Sequence, residues 1–154
     1  RCRRVSWGSE MCIRDRCDIV AARMRRKKKK CTSVSITFRT LDFRNRSHQT
    51  KLPNATDITD EIYRCAKQLF RESWKGEPLR LIGVSVTGLT EDDFEQLSLF
   101  EDPEKKEKSR KLDAALDAIR QKYGNDKVTR ASILNGAQGI ARKAKAQMKN
   151  DAEN

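Results

Sequence analysis

Residues 33–39, Ser-Val-Ser-Ile-Thr-Phe-Arg, form the stretch that decides the fold. Three apolar side chains alternate here with hydroxyl-bearing side chains and a final cation. A period of two residues predicts a half-buried strand with one apolar and one polar face. A second extended stretch, residues 43–52, follows after three residues, so we expect a hairpin whose second strand is broken by Pro53 and Asn54.

A helix and a last strand follow the hairpin. Residues 58–70 carry apolar side chains at helical spacing, and we expect Thr56 or Asp57 to cap this helix and Gly76 to end it. We predict the last strand over residues 79–87. One face of that strand carries Ile82, Val84 and Val86.

The segment before the hairpin completes the predicted element order. Residues 18–26 have the pattern of the last turns of a helix, with a partial apolar stripe at Ile19, Ala22 and Met24 and cations at the C-terminal end. One more strand in front would complete a β-α-β-β-α-β order. The fold class is therefore α+β, a truncated ferredoxin-like domain with an antiparallel sheet and helices on one face. In that plan the missing strand lies between the hairpin and the last strand, so we expect poor stability of the chain by itself.

The first residues fit none of these patterns. Residues 5–16 show no helical or strand period and resemble the conceptual translation of an adapter used in sequencing libraries. We therefore expect residues 1–16 to be an artefact that replaces upstream coding sequence. The alternative is a genuine, basic N-terminal arm.

Helices on one side would leave the other face of the sheet free to meet a partner. By alternation that face carries Ser33, Ser35, Thr37, Arg39, Gly83, Ser85 and Thr87. Short hydroxyls, cations and a glycine that leaves the backbone accessible suit contact with a phosphodiester backbone. The simpler alternative is a solvated outer face.

Charge also favours a polyanionic partner. The net charge is +12, and residues 31–52 hold four basic side chains against one acidic. Such an excess favours nucleic acid through phosphate neutralisation, although anionic membranes and plain solubility remain alternatives. No apolar run approaches the roughly 20 residues that span a bilayer, so we expect a soluble, cytoplasmic protein.

The cysteines and the histidine restrict the chemistry. The chain has five cysteines without a paired CxxC spacing and one histidine, His48. This content argues against a zinc site, a disulfide framework and histidine-dependent catalysis, and we expect reduced, structural thiols.

An acidic linker, residues 91–104, contains seven acids and no base. Its centre is, in order, Gln96, Leu97, Ser98, Leu99 and Phe100. This pentapeptide resembles the motif by which bacterial replication and repair proteins bind the β sliding clamp. Adjacent bulky apolar side chains can anchor a flexible peptide in an apolar groove, and a glutamine can form hydrogen bonds at its mouth. We therefore expect clamp binding; the alternative is that these side chains pack back on the domain.

Several blocks resemble, in the family's order, the C-terminal end of bacterial Y-family, translesion-type DNA polymerases of the DNA polymerase IV and UmuC group. Residues 31–52 are similar to the hairpin of the little-finger domain, and residues 62–89 to its second helix and last strand. Residues 111–134 are similar to the tail of Gram-positive members. The resemblance implies a little-finger DNA-binding domain over residues 17–90 and a helical C-terminal tail over residues 105–154.

The resemblance implies DNA repair by nucleotidyl transfer, with two Mg²⁺ ions held by carboxylates of a palm domain. The palm precedes the little finger in the family, so we assign no catalytic residue, metal ligand or cofactor to this chain. His48 and Leu81 occupy positions where the family commonly has a basic residue. The expected partners are primer-template or damaged DNA and the sliding clamp, and we expect a monomer. The residues expected to contact the DNA backbone are Thr37, Arg39, Arg44, Arg46, Ser47, Gln49, Lys51 and Arg80.

Two other functions remain open. The first is a non-catalytic adaptor of a mutagenesis complex, similar in build to the polymerase. The second is a general nucleic-acid-binding domain of ferredoxin-like plan. That function requires exposed aromatic side chains on the central strands for base stacking, and the predicted free face has none.

Overall fold

The computed structural model describes residues 7–91, 103–124 and 128. The elements are α1 (Trp7–Arg26), β1 (Lys30–Thr40), β2 (Asn45–Thr56), α2 (Thr59–Ser73), β3 (Leu79–Thr90) and α3 (Pro103–Tyr123). The chain forms two compact units, Arg1–Ala114 and Ala115–Asn154. None of the described helices is long and apolar enough to cross a membrane. The pentapeptide at residues 96–100 lies outside the described residues.

The three strands form one antiparallel sheet in the order β2-β1-β3. Strand β1 is central, and its apolar face is wholly buried: Val34, Ile36 and Phe38 are 0% exposed. Removing side chains of this size from water stabilises a fold by about 1.5–3 kcal/mol each. The predicted α+β class, with an antiparallel sheet and helices, is confirmed.

Helices α1 and α2 supply the rest of the core. Helix α2 buries Ile62, Ala66, Leu69 and Phe70, and the Phe70 ring meets Phe38 edge-on at 6.2 Å between centroids. Strand β3 packs Ile82, Val84 and Val86 against the same core, as its alternation predicts. The face of the sheet opposite this core is therefore the one left for a partner.

The expected position of a further strand between the hairpin and the last strand is wrong. Strand β3 pairs directly with β1, from Lys30 opposite Thr90 to Thr40 opposite Leu79. Strand β2 pairs along the other edge of β1. Both edges of β1 are therefore occupied, and the expectation of poor stability loses the physical reason given for it.

The expectation that residues 5–16 lack a helical period is also wrong, because α1 begins at Trp7. Its buried stripe is Ile13, Cys17, Ala21 and Met24. The apolar stripe predicted from Ile19, Ala22 and Met24 shares only Met24 with this buried stripe, and Ile19 is 37% exposed. The adapter origin of residues 1–16 stays a prediction.

Polar contacts join the early turns of α1 to α2. The Glu10 carboxylate accepts from Lys67 at 2.9 Å and from Arg71 at 2.8 Å, and Arg14 pairs with Asp60. Burial by itself would raise the pKa of Glu10, but the hydrogen bonds and charges of these two α2 cations outweigh it and hold the pKa below its ordinary value. Part of the segment that we expected to be an artefact is thus built into the domain.

Several predicted element boundaries also differ from the structure; β3, for example, continues past residue 87 to Thr90. Strand β2 continues past Pro53 to Thr56, because an irregularity in its pairing with β1 between Cys31 and Ser33 accommodates the extra residues. Helix α2 ends at Ser73, with Gly76 in the following turn at φ 90°.

The N-terminus of α2 is capped from a distance rather than by Thr56 or Asp57. Its N-cap residue, Ile58, has no side-chain cap. The carboxylate of Asp113, on α3, instead accepts the backbone N–H of Thr59 at 2.9 Å. The same carboxylate pairs with the Arg25 guanidinium at 3.2 Å. The first unit is therefore held together by contacts from α1, α2 and the first half of α3.

Candidate nucleic-acid interface

The outer face of the sheet is set by the register of β1 with its two neighbours. Each outward residue of β1 lies between one outward residue of β2 and one of β3. In this order the rows are Lys51-Ser33-Thr87, Gln49-Ser35-Ser85, Ser47-Thr37-Gly83 and Asn45-Arg39-Leu81. We call these twelve residues the polar face. It brings together Thr37, Arg39, Ser47, Gln49 and Lys51 of the predicted contact set.

The centre of the polar face lies low and its margins stand higher. Ser33 and Ser35 are only 5% and 7% exposed, although they point away from the core. The amide of Gln49 reaches over the central strand and donates to the Thr87 hydroxyl at 3.4 Å, which partly explains that burial. The surface is a shallow trough with hydroxyls on its floor.

Hydroxyl groups link the first two strands across the trough. The Ser47 hydroxyl lies 3.4 Å from that of Ser35 and 3.3 Å from that of Thr37. A hydroxyl can rotate to donate to an external acceptor while it keeps a neighbour as its own donor. The hydroxyls of Ser47 and Thr37, which are not buried, can therefore donate to a phosphate oxygen.

Arg39 is held in place by a residue that the sequence did not single out. Its Nε–H donates to the Asn45 side-chain oxygen at 2.7 Å. A neutral amide fixes the guanidinium without cancelling its charge, and the terminal N–H groups remain on the far side for a second acceptor. The sequence feature that could have identified Asn45 is the turn of residues 41–44, because its length places Asn45 opposite Arg39.

Gly83 leaves the backbone of β3 uncovered in the third row. A Cβ added there would lie 3.8 Å from the Thr37 carbonyl oxygen, which is an ordinary van der Waals distance. The fold therefore does not require glycine at this position. What glycine supplies is an open backbone on the outer surface.

Arg46 is not part of the polar face. It pairs with Phe38 in the register and so lies on the helix side of the sheet, where its guanidinium contacts Glu77 at 3.1 Å. His48 lies on the same side, with its ring stacked on Phe38 at 6.2 Å.

Arg44 and Arg80 lie at one end of the sheet, around the turn between β1 and β2. The Arg44 carbonyl accepts from the Thr40 N–H at 3.1 Å. The Arg80 guanidinium lies over the ring of Phe43, with its carbon 4.5 Å from the ring centroid. Both arginines are exposed, so this end adds positive charge next to Arg39.

The part of the chain that the structure describes has no candidate metal centre, and burial deactivates two of its thiols. No group of three or more histidine, cysteine, aspartate or glutamate side chains there could hold a metal ion. Burial raises the pKa of both Cys17 and Cys31 to about 12. These thiols therefore stay protonated and act as small core side chains.

Comparison with known proteins identifies the family. The family model of the impB/mucB/samB family C-terminal domain matches residues 10–99. The chain belongs to this family. The matched region is the little finger of a Y-family polymerase of the DNA polymerase IV type. The match begins inside α1, which agrees with the packing of that helix.

Named relatives of the impB/mucB/samB C-terminal domain are longer proteins. DNA polymerase IV of Clostridium acetobutylicum is 42% identical over 118 residues, 77% of this chain and 30% of that protein. DNA polymerase IV of Pelotomaculum thermopropionicum is 34% identical, over 93% of this chain and 36% of that protein. The putative UV-damage repair protein UvrX of Bacillus subtilis is 36% identical, over 75% and 28%. The chain thus spans about a third of the length of the relatives it matches.

Proposed function

We propose that the polar face binds the sugar-phosphate backbone of primer-template DNA, as the little finger of a translesion DNA polymerase. The observation that supports this most is the register of β1, which gathers hydroxyls, two cations and an open glycine on one surface. The core lies on the other side of the sheet. Membership of the impB/mucB/samB family agrees with a DNA partner.

The dimensions of the polar face suit several phosphates. Arg39 is in the last row and Lys51 in the first, beside Ser33. Six residues of a strand separate those rows, a distance of about 20 Å, which is long enough to meet more than one phosphate of a DNA backbone. The two cations can therefore contact different phosphates, and exposed hydroxyls of the same face can add hydrogen bonds to the backbone.

The composition of the polar face favours contact without sequence readout. Base edges are read by bidentate pairs such as arginine with guanine or glutamine with adenine. Here the Gln49 amide donates to Thr87 and the Arg39 Nε–H donates to Asn45. Both side chains are held close to the sheet rather than extended towards a groove.

A fluorescence titration of the 154-residue chain with labelled duplexes tests this proposal. The logarithm of the binding constant should fall linearly with the logarithm of salt concentration, by about 0.9 for each phosphate neutralised. Affinity should be the same for duplexes of unrelated sequence. Binding that ignores salt, or that selects one sequence, would overturn the proposal.

The activity proposed for the parent protein is templated DNA synthesis past damaged bases. Its relatives include proteins named DNA polymerase IV and a putative UV-damage repair protein. In this proposal the Mg²⁺-binding carboxylates belong to a palm outside this chain, and the chain's own residues only hold the DNA. The polar face would then keep the duplex in place while the parent protein acts on its end.

We also propose that residues 96–100 bind the β sliding clamp. The segment follows β3 closely, and its Leu99 and Phe100 provide two adjacent apolar anchors. A five-residue contact is expected to bind with micromolar affinity, about −8 kcal/mol. Because the clamp and the polar face would share one DNA molecule, two weak contacts would reinforce each other through effective concentration.

A peptide spanning residues 91–104 tests the clamp proposal by calorimetric titration against purified clamp. The native peptide should bind, and a peptide with Leu99→Ala and Phe100→Ala should not. The same double substitution in the whole chain should leave its affinity for DNA unchanged. Equal binding by both peptides, or binding by neither at high micromolar concentration, would refute the clamp assignment.

A further inference from the structure

A β-bulge shapes the end of the sheet next to Arg39. Arg39 pairs with Leu81, and Thr40 pairs with Leu79, so Arg80 is an extra residue without a partner on β1. A bulge of this kind turns a side chain away from the direction that regular pairing would give it. Here the Arg80 guanidinium lies over the ring of Phe43.

Phe43 has an unusual combination of backbone conformation and exposure. Its φ is 60°, a left-handed conformation that bulky residues rarely adopt. Two backbone hydrogen bonds hold the turn, from Phe43 N–H to the Thr40 carbonyl and from Thr40 N–H to the Arg44 carbonyl, each 3.1 Å. The residue is nevertheless 61% exposed. A strained backbone that presents an aromatic ring to solvent is the kind of feature that marks a contact site.

The surroundings of the ring indicate the chemistry of its partner. Three arginines, Arg39, Arg44 and Arg80, belong to this end of the sheet and its turn, against one acid in the turn, Asp42. An apolar protein segment that covered the ring would also have to cover arginines and leave them unpaired. A nucleotide offers both an aromatic face for the ring and a phosphate for an arginine.

We propose that Phe43, supported by Arg80, is a stacking site for an unpaired base where the polar face ends. The site rests on the proposed function, because it continues the surface that would hold the duplex. The polar face itself has no aromatic side chain for stacking; the turn supplies one at the edge of that face. Duplex DNA would lie along the polar face, and the first unpaired nucleotide would meet Phe43.

Two labelled DNA molecules test this site with the 154-residue chain. One is a blunt duplex, and the other is the same duplex with a short single-stranded extension that carries 2-aminopurine. The wild-type chain should prefer the extended molecule, and the 2-aminopurine emission should fall on binding because the base stacks. Phe43→Gly removes the ring, while glycine adopts the positive φ freely, so the turn should keep its shape. This variant should lose roughly fivefold or more in affinity for the extended molecule and nothing for the blunt duplex.

Two further variants serve as controls. Phe43→Trp should retain the preference, because tryptophan also offers an aromatic face. Leu89→Ala should change neither affinity, since Leu89 is an exposed apolar residue at the opposite end of β3, beside Cys31. Melting temperatures of all variants check that the fold is intact.

The possible outcomes separate this inference from the proposed function. If the wild-type chain binds the blunt duplex but shows no preference for the extension, the stacking site is refuted and the polar face stands. The same holds if Phe43→Gly keeps the preference. If the wild-type chain binds neither molecule, both proposals are overturned.

Discussion

Replacing Asp113 should cost the first unit considerable stability for a small change in side-chain volume. Its carboxylate is 5% exposed. It accepts the Thr59 N–H and pairs with Arg25, whose guanidinium also donates to the Asp57 carbonyl at 2.7 Å and the Thr59 hydroxyl at 3.0 Å. Asp113→Ala would remove one anionic contact of the mostly buried Arg25 guanidinium and the acceptor that caps the first turn of α2.

The size of the effect follows from these contacts. Breaking a buried ion pair by removing one partner typically costs about 3–5 kcal/mol. Losing a helix cap costs about 1 kcal/mol and involves the same carboxylate, so the two figures overlap rather than add. We therefore expect a loss of about 3 kcal/mol, which lowers the melting temperature of a domain of this size by more than about 10 °C. Asp113→Asn keeps one acceptor oxygen and should lie between the wild type and Asp113→Ala.

Thermal unfolding followed by circular dichroism measures this difference. Glu107→Ala is the matched control, because it removes a carboxylate from the same helix but only an exposed contact with Lys111. Surface changes of this kind usually stay within about 0.5 kcal/mol. If Asp113→Ala melts at the same temperature as Glu107→Ala, the long-range cap does not hold α2, and the assignment of this part of α3 to the first unit loses its support.

Three further predictions follow from the contacts of single residues. Asn45→Ala should weaken DNA binding about two- to tenfold, because Arg39 must then be ordered on binding. The same substitution should have no effect when Arg39 is already alanine; an equal loss of affinity in both backgrounds would indicate a direct contact of Asn45 with DNA instead. Gly83→Ala should leave the melting temperature nearly unchanged, because its Cβ has room, yet should lower DNA affinity by covering the backbone; unchanged affinity would count against a close backbone contact. Because the pKa of Glu10 is lowered, its ionised carboxylate stabilises the fold above the ordinary pKa of 4.5, and this stability is lost as pH falls through the lowered pKa. Glu10→Gln should therefore reduce the dependence of melting temperature on pH in acid. An identical pH profile would contradict the role of Lys67.

The central hairpin could be predicted from sequence because its pattern is local. The alternation of Val34, Ile36 and Phe38 fixes both the strand and its buried face, and the structure buries all three completely. The same alternation could have separated Arg46 from Ser47, since adjacent residues of a strand point to opposite faces. Arg46 and Ser47, both of the expected contact set, therefore lie on opposite faces of β2.

The rest of the fold depends on contacts between distant parts of the chain. The stripe of α1 uses Cys17 and Ala21, which are weak hydrophobic signals, so the helix was missed in its first half. The pairing of β3 with β1 is a matter of long-range register that no local pattern encodes. The cap of α2 comes from Asp113, more than fifty residues away, and sequence proximity favoured Thr56 instead.

The phosphate contact of the polar face is tested most directly by comparing two cations of one strand. Lys51 lies on the polar face and Arg46 on the helix side, both on β2. We predict that Lys51→Ala reduces the salt dependence of DNA binding by about 0.9 in the logarithmic slope, the value for one phosphate. Arg46→Ala should leave that slope unchanged. An equal loss of slope in both variants, or a loss only in Arg46→Ala, would contradict DNA binding through the polar face.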